Sequence, residues 1–65
     1  MAYYRLYIYR RGHIASFHAF EAPDDGLAVE RGRALAAGEN AELWNGGRHV
    51  RDYRDAAELS MGSPA

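Results

Sequence analysis

Sixty-five residues without a cysteine leave room for one small domain and exclude a disulfide framework or a thiolate zinc site. Chains this short bury only about 60% of the surface they expose when unfolded, so a further support is expected, and self-association is the leading one. The net charge of −1 hides a division: residues 1–20 carry +3 through Arg5, Arg10 and Arg11, residues 21–42 carry −4, and the rest balances. Such a distribution suits a protein partner or a second copy better than a long polyanion.

No apolar run approaches the roughly 18 residues of a membrane-spanning helix, and the first residues lack a basic segment followed by an apolar one. A cytoplasmic location with no membrane partner is the expectation.

The first element is "YYRLYIYR", which reads as a strand from about Tyr4 to Tyr9. Alternation points Tyr4, Leu6 and Ile8 one way and Tyr3, Arg5, Tyr7 and Tyr9 the other. A three-residue loop at Arg10, Arg11 and Gly12 pairs Ile8 with Ile14 and Tyr9 with His13. The rival two-residue turn forces Arg11 to positive φ, which is sterically costly, so the longer loop is preferred. The second strand, about Ile14 to Phe20, then turns Ile14, Ser16, His18 and Phe20 inward and Ala15, Phe17 and Ala19 outward.

"EAPDDG" punctuates the chain, and Asp24 or Asp25 caps a helix running from about Asp25 to Ala37. Ala28, Val29, Gly32, Leu35 and Ala36 fall on its apolar stripe, Leu27 and Ala34 on the opposite side, and Gly38 stands where a left-handed terminus is common. "AELWNGGRHV" reads as a hairpin centred on Gly46 and Gly47, which pairs Leu43 with Val50 and Trp44 with His49. Asp55 and Glu58 have capping-box spacing, so a short C-terminal helix ending at Gly62 is expected, with residues 62–65 loose.

The order "YRLYIYRRGHI", "FEAPDD", a helix closing at Gly38 and "AELWNGGRHV" spans residues 4–51. It resembles small uncharacterised alphaproteobacterial proteins. In these a strand of Arg-Leu-Tyr type leads to Gly-His-Ile, Phe-x-Ala-x-Asp-Asp, a helix, and Glu-Leu-Trp with a glycine and an arginine. The resemblance implies a stand-alone small bacterial protein, and it brings no catalytic, cofactor or metal residue with it.

Hairpin, helix, hairpin makes a single α+β domain (ββαββ) with its ordered core at about 3–53. A four-stranded antiparallel sheet carries the main helix on one face. The inner layer is read as Tyr4, Leu6, Ile8, Ile14, Phe20, Val29, Leu35, Leu43 and Val50. The outer layer holds Tyr3, Arg5, Tyr7, Tyr9, Phe17, Trp44 and His49, on a strand area of roughly 300 Å² before side chains are counted. Tyr53, Leu59 and Met61 of the C-terminal segment screen at most an edge of it. A second copy is the favoured cover, another protein the next, and single-stranded nucleic acid or a small molecule a third, beside the plain reading of a tyrosine-rich wet surface.

No catalytic constellation is recognisable, and no cofactor or metal site is expected. His13 and His18 face opposite sides of a regular strand and so cannot share a metal, and His49 beside Trp44 needs no role. The fitting reading is a small interaction or accessory module that self-associates through its aromatic face, not an enzyme.

Overall fold

The computed structural model describes residues 1–54. Strands β1 (Ala2–Arg10) and β2 (His13–Ala22) precede helix α1 (Asp25–Ala36), and β3 (Ala41–Asn45) and β4 (Arg48–Tyr53) follow it. The four strands form one antiparallel sheet in the order β2-β1-β3-β4, which is the ββαββ α+β architecture read from the sequence. The expected C-terminal helix and loose tail lie outside the described residues. Among the described residues no helix is long and apolar enough to cross a membrane.

Alternation in β1 divides the two faces as expected. Tyr4, Leu6 and Ile8 are buried beneath α1 together with Leu43, Ala41, Ala22, Ala28 and Ala36. Phe20, Val29, Leu35, Val50 and Tyr53 pack around them. With so much alanine in the core, helix and sheet lie close.

Asp24 caps the helix, its Oδ1 accepting the Leu27 N–H at 2.8 Å. Asp25 is thereby free to bond elsewhere, and it accepts the Tyr4 hydroxyl at 2.7 Å and both terminal nitrogens of Arg48 at 3.0 Å. The forked guanidinium, seconded by the phenol, holds the Asp25 carboxyl down at about 2. One carboxylate so joins the start of α1 to the central strand and to the tip of the second hairpin. At the other end of α1 the left-handed turn comes at Ala37 (φ +52), one residue before the Gly38 expected, and Gly38 (φ +84) continues it. The Ala37 N–H donates to the Arg33 carbonyl, which satisfies one of the helix's terminal acceptors.

The hairpins correct the sequence reading in two places. Arg11 and Gly12 form a two-residue turn with φ of +53 and +79, so Arg10 faces His13 and Tyr9 faces Ile14. Two positive φ values match the twist of the flanking strands, and this outweighs the steric cost at arginine. The register then shifts at Ala15, an extra residue that brings Ser16 opposite Ile8. Ile14, read as core, is placed by the turn on the outer side and 55% exposed.

In the second hairpin the turn is at Gly46 and Gly47, as expected, and Trp44 faces His49. Here Val50 is the extra residue, so Leu43 faces Arg51 instead of Val50, although Val50 still packs against the core. Both hairpins thus carry a bulge at the third residue after the turn.

A helix of 12 residues is about 18 Å long and does not cover the whole of β2. Ala22 is buried and Phe20 half-buried, but His13 to Ala19 are exposed without interruption. Ser16 and His18 lie on the helix side of the sheet, as expected, yet in solvent.

Candidate interaction face

The side of the sheet away from α1 collects all seven residues predicted for it. Tyr3, Arg5, Tyr7 and Tyr9 alternate along β1, Phe17 is opposite Tyr7, Trp44 opposite Arg5, and His49 opposite Trp44. They form two clusters. On the β2–β1 half the Tyr7 and Phe17 rings are 6.1 Å apart and the Arg5 guanidinium lies 5.8 Å from the Phe17 centroid. Tyr3 (72% exposed), Phe17 (56%) and the unexpected Ile14 complete an apolar strip.

The β3–β4 half is polar at its centre. Glu42 stands opposite Tyr7 on one side and Asp52 on the other. Its Oε1 accepts the Tyr9 hydroxyl at 2.9 Å and the Trp44 indole N–H at 3.2 Å. The carboxylate, with burial second, raises the Tyr9 phenol above its ordinary range. Trp44 meets His49 edge to face at 5.2 Å, and His49 Nε2 lies 2.8 Å from Asp52 Oδ1. Beside Glu42 and Asp52 opens a cleft of about 490 Å³, bounded by Tyr9, Asn40, Tyr53 and the turn at Arg11.

Glu42 and Asp52 are the residues that sequence reasoning missed. Glu42 was legible, being two positions before Trp44 in an alternating run; its use by Tyr9 was not. Asp52 was hidden because it is three residues from His49, and only the bulge at Val50 turns both the same way.

Tyr53, assigned to the screening segment, ends β4 and packs against α1, where its hydroxyl donates to the Val29 carbonyl at 2.6 Å. His13 and His18 share the helix side because of the bulge at Ala15, but they are four pairs apart along β1, about 13 Å. No protein-family model, curated protein or solved structure matches the chain.

Proposed function

We propose that the protein is a self-associating interaction module whose aromatic sheet face is covered by a second copy of the chain. The observation that carries this is the strip of Tyr3, Tyr7, Phe17 and Ile14, which stays open beside a core whose large side chains are few. Burying an aromatic of this size contributes about 1.5–3 kcal/mol, comparable with what so small a core supplies. A second copy fits the charges. Arg5 and Glu21 sit on the β2–β1 half while Glu42 and Asp52 sit on the β3–β4 half, so a two-fold arrangement can bring Arg5 of one copy toward the carboxylates of the other. The strands of this face span roughly 300 Å² before side chains are counted, which makes the interface a small one beside the ~800 Å² per partner of a standard interface.

Single-strand nucleic-acid binding has one observation in its favour, the cluster of Arg5, Phe17 and Tyr7 on an exposed sheet face. Against it, Glu21, Glu42 and Asp52 share the face and repel a phosphate backbone.

Sedimentation and light scattering over a dilution series test the proposal. A concentration-dependent dimer is expected, with Tyr3→Ser and Phe17→Ser, both at exposed positions, giving folded monomers. A monomer at all concentrations, or a dimer indifferent to these changes, defeats it. Trp44 fluorescence that responds to oligonucleotides at low salt would favour the second reading.

A further inference from the structure

We propose that Glu42, His49 and Asp52 form a binding site for a divalent first-row metal cation, with zinc preferred. One ligand atom from each lies within 4.8 Å of the others. Zinc takes nitrogen and carboxylate oxygen at about 2.0–2.2 Å, which places ligand atoms roughly 3–3.5 Å apart, so small side-chain rotations close the set. An imidazole beside two carboxylates suits zinc or its neighbours, whereas magnesium and calcium prefer oxygen alone.

Exposed carboxylates are common without any ion, and two features separate this group from them. The first is how the backbone aims it. His49 and Asp52 are three residues apart in β4 and on a regular strand would point to opposite sides. The extra residue at Val50 turns both to the outer face, His49 against Trp44 and Asp52 against Glu42. The second is how Glu42 is held. Two donors from outside the set, the Tyr9 hydroxyl and the Trp44 indole, fix its Oε1, and Oε2 takes part in neither bond. Hydrogen bonds of this kind behind a ligand orient it toward a metal. The cleft at Glu42 and Asp52 gives the ion a path in, and three protein ligands leave room for water or a fourth group.

All three ligands belong to one chain, but they lie on the face proposed for self-association, so a second copy seated on Glu42 and Asp52 would compete with the metal. The test is titration of the full chain with zinc chloride and with cobalt(II) chloride. Trp44, the single tryptophan, reports through its bond to Glu42; the visible bands of cobalt report coordination; equilibrium dialysis gives stoichiometry. One equivalent per chain is expected for the Tyr3→Ser and Phe17→Ser monomers, undisturbed by excess magnesium, and binding to the parent chain should strengthen on dilution. Glu42→Gln and His49→Ala should each weaken it by about ten-fold or more, and Tyr9→Phe by about ten-fold through lost orientation. His13→Ala and His18→Ala should leave it intact. Circular dichroism of each variant shows that the fold persists. Absence of binding up to about 1 mM metal, or binding that survives His49→Ala and disappears in the His13 or His18 variant, overturns the proposal.

Discussion

The hydroxyl of Tyr53 lies 2.6 Å from the point where a Cβ on Gly32 would stand, and the same hydroxyl donates to the Val29 carbonyl at 2.6 Å. The glycine in the middle of α1 is therefore a seat for a tyrosine from β4. Alanine is ordinarily better than glycine in a helix interior by about 1 kcal/mol. Here Gly32→Ala should instead destabilise the protein, by about 1 kcal/mol net, because the phenol must shift and give up its bond. In a Tyr53→Phe background the same change should become neutral or favourable. Denaturant melts of the four proteins in this cycle measure the coupling; additive effects would show that the two residues do not interact.

Acid should loosen the link between α1 and the second hairpin. The folded-state pKa of Asp25 is depressed by Arg48 and Tyr4 to about 2, below its value in an unfolded chain. Its contribution is thus fully present above about pH 4 and is lost as the pH falls toward 2. Glu39, lowered by its pair with Arg10, acts in the same direction. Melting temperatures recorded from pH 5 to pH 2 should fall less steeply for Asp25→Asn than for the parent chain. Equal slopes would contradict this assignment.

Arg11 holds a left-handed conformation at φ +53 in a turn where asparagine or glycine is usual. Arg11→Asn should raise stability by up to about 1 kcal/mol, since asparagine tolerates this region at lower cost. An unchanged or lower midpoint in urea would mean that the arginine makes a compensating contact.

Much of the fold could be read from the chain because its signals are local. The β1 alternation, the Asp24–Asp25 start, the small stripe on α1 and the Gly46–Gly47 turn each depend on neighbours within a few residues, and each stands in the structure as a strand, a cap, a packed face and a turn. The bulges at Ala15 and Val50 could not be read that way. An inserted residue in a strand looks like any other, and pairing Ile8 with Ile14 or Leu43 with Val50 gave the better apolar match. From those two missed residues follow the overlooked Asp52 and the wrong relation of His13 to His18, while the misplaced Ile14 follows from the two-residue turn at Arg11 and Gly12. The face itself was legible because it depends chiefly on β1, which has no bulge.

Among the described strands β2 pairs only with β1, and its stretch from His13 to Ala19 is exposed throughout. Detaching that stretch uncovers little apolar surface, so local opening should cost much less than global unfolding. Amide hydrogens along β2 should therefore exchange early, and those at the middle of β1 and β3 last. A sheet graded in this way has a firm centre and a yielding flank.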